Sequence, residues 1–186
     1  MNRKEKLADQ PKLLDLLQQL EELKNELGNH FHLDFNRSLP TTDLLFDRWE
    51  RAKSLGFGKG SSIYDSAYVF GNVQVGENTW VGPFSILDGS GDLKIGSNCS
   101  ISAGVQIYSH DSVQWATSGG QAPYEYSPVS IGNNCYLGPN VVISSGVSLG
   151  DGCVVGANSF VNKSFPSGSK IAGTPAKLIS GPDSNP

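Results

Sequence analysis

A branched aliphatic residue returns at about every sixth position over the larger part of this chain of 186 residues. The residue four places after each aliphatic is usually small, and glycine often follows the aliphatic directly, as in IGSNCS and LGPNVV. A unit of six residues has too little apolar surface to fold alone, so such a repeat is typical of a solenoid in which units stack. Fourteen hexads begin at Ile63, Val69, Val75, Val81, Leu87, Ile95, Ile101, Ile107, Ile131, Leu137, Ile143, Leu149, Val155 and Val161.

The repeat predicts an all-β solenoid whose short strands alternate with tight corners. Three hexads close one triangular coil with the aliphatic residues pointing inward, so fourteen hexads predict between four and five coils. Stacked strands lie about 4.8 Å apart, which makes the predicted prism roughly 20 Å long. Glycine and asparagine fall at the corners, where they tolerate the positive φ that branched residues resist.

The most specific stretch of the repeat is its C-terminal part, IGNNCYLGPNVVISSGVSLGDGCVVGANSFV followed by KIAGTPAKLI. Together with the hexads from residue 63 onward, it resembles the hexapeptide-repeat acyltransferases, in particular maltose and galactoside acetyltransferases and polysaccharide O-acetyltransferases. This resemblance implies a left-handed parallel β-helix that uses acetyl-CoA as co-substrate. The acyltransferase domain is expected over residues 61–180, with a loop at residues 109–128 and a flexible tail over residues 181–186.

Residues 1–60 lack the repeat and predict an N-terminal helical segment. Leucines spaced by three and four predict a helix from about residue 12 to Leu27, ended by Gly28–Asn29. A second helix is predicted to run to Gly56, with Thr41 or Thr42 as its cap. The pair either covers the site or stabilises an oligomer, or it packs over the open end of the first coil.

Composition excludes several classes of partner. The net charge is −4, and the 14 lysines and arginines do not gather into a stripe, so nucleic acid is not an expected partner. No apolar run approaches the length that crosses a bilayer, and charged residues follow Met1 without a signal-like segment. We therefore expect no membrane span and a cytoplasmic location.

Three cysteines occupy small inward positions of the repeat. Cys99, Cys135 and Cys153 are 36 and 18 residues apart, so coils of 18 residues would stack them in one column. Small buried thiols are expected, because a disulfide would be unusual in the cytosol. No metal is expected, since no metal-ligand spacing is present. A zinc enzyme of the carbonic-anhydrase type would need three convergent histidines, and only His110 lies in the repeat.

The repeat stops after Ile107 and resumes in phase at Ile131, which leaves a long loop of the kind that is often functional. The loop opens with His110, and an imidazole can accept a proton near neutral pH. In the acyltransferases that the chain resembles, a histidine at this place deprotonates the acceptor hydroxyl, which makes His110 the expected catalytic base. Asp111 is expected to cap the turn, and Asp88, which begins the insertion DGSGD, is the more interesting partner for His110.

Polar acceptor contacts come from the DGSGD region in the galactoside relatives, which makes Ser85 and Asp88 expected acceptor-binding residues. The acceptor asparagine of those relatives has no counterpart here, and Phe84 or Ser85 stands in its place. Aromatic residues of the loop also suit a sugar site, because pyranose faces stack on aromatic rings. The aromatic candidates are Trp115, Tyr124 and Tyr126. The alternative for them is packing against a neighbouring subunit.

The resemblance places coenzyme A in the groove between two adjacent prisms of a trimer. Lys177 stands where relatives carry the basic residue beside the 3′-phosphate, and Ser180 replaces a second one. A three-sided prism that borrows part of its site from a neighbour has a closed three-fold arrangement, so we expect a homotrimer. The expected cofactor-binding residues are Pro139, Ala157, Asn162, Lys163 and Lys177.

These expectations favour an acetyl-CoA-dependent O-acetyltransferase that acts on a sugar hydroxyl during synthesis of a surface polysaccharide, such as O-antigen or capsule. An N-acetyltransferase acting on a nucleotide-linked amino sugar is the first alternative on the same scaffold. A solenoid without catalytic activity, which serves as a scaffold or binding module, is the second. That last class would bind no coenzyme A.

Overall fold

The computed structural model describes residues 4–181 of the chain, with sixteen short strands, four α-helices and one 3-10 helix (Glu5–Leu7). Residues 182–186 of the predicted tail lie outside it. The chain divides into two structural units between Asp47 and Arg48, and all the strands belong to the second. The strands are β1 (Ser62–Ile63), β2 (Tyr68–Val75), β3 (Trp80–Val81), β4 (Ile86–Ile95), β5 (Ser100–Ile101), β6 (Gln106–Ile107), β7 (His110–Asp111), β8 (Glu125–Tyr126), β9 (Val129–Ile131), β10 (Tyr136–Leu137), β11 (Val142–Ile143), β12 (Ser148–Leu149), β13 (Val154–Val155), β14 (Phe160–Val161), β15 (Lys170–Gly173) and β16 (Ala176–Ser180).

The repeat strands stack in register as three parallel faces of a triangular prism. Face 1 joins β1, β3, β5, β10, β13 and β15 and has six rungs. Face 2 joins the start of β2 and of β4 with β6, β11 and β14. Face 3 joins the end of β2 and of β4 with β9, β12 and a single bridge at Phe165. The predicted β-solenoid is thus confirmed.

The prism is longer than the sequence period predicts, with about six coils instead of four to five. The difference lies at the C-terminal end, where Phe165 follows Val161 after four residues and interrupts the six-residue spacing. Phe165 nevertheless bridges Leu149 on face 3, and Ile171 continues face 1 against Val155. Both Phe165 and Ile171 are buried, so they extend the core by one coil.

The inward positions form the core that the pattern predicts. The aliphatic residues that begin the hexads are buried, except Val69, which is partly buried. Cys99, Cys135 and Cys153 are buried and free, on successive rungs of one column. Each thiol donates a hydrogen bond to a main-chain carbonyl oxygen 3.1 to 3.3 Å away. Burial raises the pKa of the Cys153 thiol, which disfavours the reactive thiolate.

One corner of the prism carries a bulky residue in a strained conformation. Most positive-φ corners use glycine or asparagine, and Asn98 and Asn140 have φ values of 57° and 58°. Phe84 has φ 59° at such a corner, although its side chain is 64% exposed. The left-handed region costs an ordinary L-residue about 1–2 kcal/mol, and asparagine tolerates it better. Contacts within the protomer therefore offset little of the strain at Phe84.

Substituting Phe84→Asn is expected to raise the free energy of unfolding by about 1 kcal/mol, because asparagine relieves the left-handed strain at this corner. Urea unfolding monitored by circular dichroism measures the change. Tyr136→Asn is the matched control, since Tyr136 is an exposed aromatic of a strand without positive φ. A loss of stability in Phe84→Asn would contradict the prediction and show that the ring makes a contact worth more than its strain.

The first helix is longer than the sequence predicts. Helix α1 spans Pro11–Phe35, so Gly28–Asn29, which were predicted to end it, lie in its interior. A glycine ends a helix by taking positive φ, and Gly28 does not take it. Asn36 does so instead, with φ 50°, and its N–H bonds to the carbonyl of His32. Because both Gly28 and Asn36 suit a helix end, the sequence alone does not choose between them.

The predicted second helix is two short helices, α2 (Thr41–Leu45) and α3 (Arg48–Ser54). Phe46 is extended, with φ −112° and ψ 119°, and this breaks the helical spacing. Pro40 precedes α2 without a side-chain cap hydrogen bond, so the predicted threonine cap is wrong. None of the helices within residues 4–181 is long and apolar enough to cross a membrane.

Helix α3 packs on the first coil of the β-helix. Ala52 of α3 and Phe57 after it are buried in the same core as the first rung. The guanidinium of Arg51 donates to the carbonyl of Tyr64 and, at 2.8 Å, to that of Ala67. These bonds tie α3 to carbonyl oxygens of the first coil, so α3 closes the start of the prism.

Candidate active site

The loop that interrupts the repeat leaves the prism at the end of face 2 and returns to face 3. Ile107 is the last face 2 residue before the loop, and Ile131 pairs with Ile95 on face 3 after it. The core register is therefore undisturbed, as the spacing of 24 residues predicts. Within the loop, β7 and β8 pair in antiparallel fashion, and α4 (Val113–Thr117) lies between them in sequence.

The imidazole of His110 lies against the carboxylate of Asp88 at this corner. Asp88 follows Leu87 in β4, and Leu87 pairs with Ile107, the last residue of β6 before His110, so the chain brings Asp88 and His110 to one corner. Nδ1 of His110 is 2.5 Å from Oδ2 of Asp88. The His110 side chain is 35% exposed, whereas that of Asp88 is 1% exposed. A buried carboxylate thus contacts an imidazole that a ligand can reach.

Both carboxylate oxygens of Asp88 accept hydrogen bonds from the protein. Ser90 donates to Oδ1 from its N–H at 3.0 Å and from its hydroxyl at 2.6 Å. The N–H of Ser109 donates to Oδ2 at 3.0 Å. Burial raises the pKa of Asp88, but these bonds and the contact with His110 outweigh it and hold the pKa of Asp88 below its ordinary value. Asp88 is consequently ionised at neutral pH.

An ionised Asp88 determines which nitrogen of His110 carries the proton. A carboxylate only accepts hydrogen bonds, so the hydrogen-bonding pattern assigns a proton to Nδ1. Nε2 then has a free lone pair in the neutral ring. The arrangement can therefore remove a proton from a hydroxyl or amine that approaches Nε2.

The side chains on either side of His110 bond to the main chain of the loop and the insertion and not to the imidazole ring. Oδ1 of Asp111 accepts from the N–H of Val113 at 2.6 Å, which is the turn cap that the sequence predicts. Ser109 is buried, and its hydroxyl accepts from the N–H of Gly91 at 2.8 Å. Asp111 and the Ser109 hydroxyl therefore fix the backbone on either side of His110.

Ser90 and Gly91 are parts of this site that sequence analysis missed. A Cβ added to Gly91 would lie 2.3 Å from the carbonyl oxygen of Ser109, so only glycine allows the insertion to approach the loop so closely. The signal was present in DGSGD, because an aspartate that bonds the N–H two residues later is typical of an Asx turn. Asp88 and Ser90 form that turn.

Three aromatic rings gather around the imidazole. Tyr124 and Tyr126 lie with their ring centroids 6.4 and 6.3 Å from that of His110. Trp115 meets Tyr124 edge to face at 5.4 Å. All three aromatic side chains are about half exposed. The structure thus brings His110 together with the three aromatic residues predicted for the acceptor.

Two predicted acceptor-binding residues do not reach this surface. Ser85 is buried, and its hydroxyl donates to the carbonyl of Ser102 at 3.2 Å. The Asp88 carboxylate is also buried and is occupied by Ser90, Ser109 and His110. Direct acceptor contact is therefore a wrong prediction for both. Ser85 belongs to the core, and Asp88 acts on His110.

The predicted cofactor-binding residues lie at two corners of the prism and at its C-terminal hairpin. Pro139 and Ala157 lie on the corner between faces 1 and 2, one coil apart, and both are exposed. Asn162 and Lys163 follow β14 at the corner between faces 2 and 3, where His110 also lies two coils earlier. Lys177 is exposed on β16, which pairs with β15. The two corner sets thus flank opposite edges of face 2.

No group of three or more histidine, cysteine, aspartate or glutamate side chains in the described residues is arranged to hold a metal ion.

Sequence comparison finds relatives among acetyltransferases. The family model for the hexapeptide repeat of succinyl-transferase matches residues 128–163. A putative acetyltransferase of Dictyostelium discoideum is 36% identical over 152 residues, which cover 78% of this chain and 76% of that protein. The galactoside O-acetyltransferase of Escherichia coli (strain K12) is 32% identical over 125 residues, which cover 56% of this chain and 62% of that protein.

Solved structures share the fold. A galactoside acetyltransferase in complex with coenzyme A matches with a TM-score of 0.65 at 24% identity, covering 87% of this chain and 82% of the other. AntD, an N-acyltransferase from Bacillus cereus in complex with dTDP and coenzyme A, matches with a TM-score of 0.60 at 21% identity, covering 71% and 88%. At these identities the likeness concerns the fold, which is the predicted left-handed parallel β-helix.

Proposed function

The chain belongs to the hexapeptide-repeat acyltransferases, and from that membership we propose that it transfers the acetyl group of acetyl-CoA to a sugar hydroxyl. We assign the acceptor to a surface polysaccharide, such as O-antigen or capsule, and the reaction to the cytoplasm. The observation that carries the proposal is the contact between the reachable imidazole of His110 and the buried, ionised Asp88. In this proposal the pair supplies a general base at an open corner of the prism.

In the proposed mechanism, Nε2 of His110 takes the proton of the acceptor hydroxyl. At the same time, the hydroxyl oxygen bonds to the carbonyl carbon of the thioester. The tetrahedral intermediate then expels the coenzyme A thiolate. The proton passes from His110 to that sulfur, so the products are an acetyl ester and free thiol, and the ring is neutral again. Asp88 stabilises the transient imidazolium through its negative charge, and Asp88 itself stays ionised throughout the reaction.

The aromatic rings beside His110 support a carbohydrate acceptor. Tyr124 and Tyr126 border the imidazole, and Trp115 extends the aromatic surface beyond Tyr124. Such half-exposed rings can stack on the apolar face of a pyranose while their polar edges reach its hydroxyls. The similarity to a protein named galactoside O-acetyltransferase favours a sugar hydroxyl over other acceptors.

The split of the predicted cofactor-binding residues supports a homotrimer. Pro139 and Ala157 lie on one edge of face 2, and Asn162 and Lys163 lie on the other. If one edge of face 2 adjoins the opposite edge of face 2 in a neighbouring copy, the first pair of residues of one chain and the second pair of the other line one groove. Three-fold closure then gives every protomer such a groove. Light scattering should then give a mass three times the chain mass of 19.8 kDa. A fully active species of one chain mass would contradict this arrangement.

The test of the proposed function is whether an ester or an amide forms. The chain is incubated with acetyl-CoA and either a galactoside or a nucleotide-linked amino sugar, and thiol release is followed. Products are then treated with alkaline hydroxylamine, which cleaves esters and spares amides. We expect thiol release with the galactoside and a hydroxylamine-labile product.

A nucleotide-linked amino sugar is the second candidate acceptor, favoured by the fold likeness to AntD with dTDP and coenzyme A. Thiol release with the amino sugar alone, and a product that resists hydroxylamine, would replace O-acetylation by this alternative. If neither acceptor releases thiol and calorimetry finds no binding of acetyl-CoA, the chain is a solenoid without this activity.

A further inference from the structure

A cavity of about 480 Å³ lies within the N-terminal unit, outside the β-helix. One wall is the C-terminal half of α1, and the other is the connection that runs from Arg37 to Leu44 in α2. Cavities that bind small molecules typically measure about 300–1,000 Å³, so this one is large enough for a small organic ligand. Neither the predicted base nor the predicted cofactor-binding residues line it.

The ionisable side chains that line this cavity are all of the basic type. Lys24, His32 and Arg37 line it, and no carboxylate is found among its described lining residues, although the chain has a net charge of −4. Within residues 4–181, the side chains of Lys24 and Arg37 form no ion pair and no hydrogen bond. Positive groups gathered around a concavity without internal counter-charges create a site for an anion.

The mid-helix glycine of α1 keeps the cavity open. Lys24, Gly28 and His32 are spaced by four residues, so they share one face of α1 and Gly28 lies between the two basic residues. A Cβ added to Gly28 would meet nothing within 4 Å, so packing does not require glycine there. Glycine in a helix interior costs about 1 kcal/mol relative to alanine. Gly28 therefore lowers the stability of α1, and it does so at the position where a larger side chain would project into the cavity.

We propose that this cavity binds a small organic phosphate, such as a sugar phosphate. Arg37 presents a planar fork that matches phosphate oxygens, and Lys24 adds a mobile point charge. Leu39 and Leu44 supply an apolar side for the organic part of the ligand, which distinguishes the cavity from a site for inorganic anions. The inference does not depend on the proposed acetyl transfer.

Calorimetry with the full chain and glucose 1-phosphate tests the inference. We expect saturable binding, with inorganic phosphate binding more weakly and glucose not at all. The double variant with Lys24→Gln and Arg37→Gln should lower the affinity about tenfold or more, because both charge-assisted contacts are lost. Gly28→Met should also lower the affinity while leaving helix content unchanged or higher, since it fills the cavity and improves helix propensity.

Two further variants separate this cavity from other sources of binding. The double change Lys6→Gln with Lys12→Gln removes the same charge from residues that do not line the cavity, and it should leave the affinity unchanged. Trp115→Ala tests whether the sugar phosphate binds beside His110 instead. The inference is overturned if Trp115→Ala abolishes binding, if both double variants weaken it equally, or if the parent shows no saturable binding.

Discussion

Substituting His110→Ala is expected to lower kcat by about 10²–10⁴-fold, the usual contribution of a positioned general base. His110 is the only histidine in the sequence of residues 48–186, and His30 and His32 belong to α1 of the N-terminal unit. Thiol release from acetyl-CoA in the presence of a galactoside measures the rate. The substitution removes a partly exposed side chain, so thermal melting should change little.

The matched control is His30→Ala, which removes an exposed histidine that pairs with Glu26 on α1 and should leave kcat unchanged. Calorimetry with acetyl-CoA separates chemistry from binding, since His110 is not among the predicted cofactor-binding residues. His110→Ala should bind acetyl-CoA as the parent does. A rate within a few-fold of the parent would remove His110 from the mechanism, and a loss of acetyl-CoA binding would reassign it to the cofactor groove.

The core of the fold could be predicted because the six-residue spacing of aliphatic residues determines which side chains point inward. Each coil places aliphatic residues inward at the same spacing, so even the jump from Ile107 to Ile131 preserves the register. The same rule predicts the buried column of cysteines. It fails at Phe165, where a corner two residues shorter keeps the chain in the prism but removes the sequence period.

The N-terminal helices were predicted less well because local signals compete there. Gly28 suits the end of a helix, yet the helix continues to Phe35, where Asn36 supplies the left-handed residue. Phe46 has no special turn chemistry, and its extended conformation divides the predicted second helix. Spacing and caps alone do not settle such choices, because tertiary context routinely overrides weak local preferences.

The site could be predicted in its parts but not in its contacts. His110 stands at the break of the repeat, and Asp88 stands at a smaller insertion one coil earlier. Their strand ends are brought together by the pairing of Leu87 with Ile107. Which atoms of the Asp88 carboxylate face Ser90, Ser109 or His110 depends on the path of the insertion, and close approach at Gly91 fixes that path.

Substituting Asp88→Asn is expected to lower kcat by about 10²–10⁴-fold, because the imidazole then lacks the charge and the acceptor that make it a base. The amide of asparagine has one oxygen, which accepts hydrogen bonds, and one NH₂ group, which donates them. At position 88, however, both carboxylate oxygens accept bonds from donors of the protein. If the NH₂ group faces His110, Nδ1 must accept, the ring proton moves to Nε2, and the lone pair for the acceptor is lost. If it faces Ser90, its protons meet the N–H and hydroxyl of Ser90.

In Asp88→Asn the buried NH₂ group faces another donor, which also costs about 1–3 kcal/mol of stability. A suitable control therefore loses stability but keeps the negative charge of Asp88. Ser90→Ala removes one donor to Oδ1 and leaves the contact between Asp88 and His110, so its kcat should fall less than about tenfold. Asp111→Asn removes a neighbouring carboxylate that only caps a turn, and its rate should match the parent. Imidazole ¹⁵N spectra should show the proton on Nδ1 in both controls. In Asp88→Asn they should show it on Nε2 in every molecule whose amide NH₂ group faces His110. If Asp88→Asn keeps the Nδ1 proton and a rate like that of Ser90→Ala, Asp88 supports the loop and does not position the base.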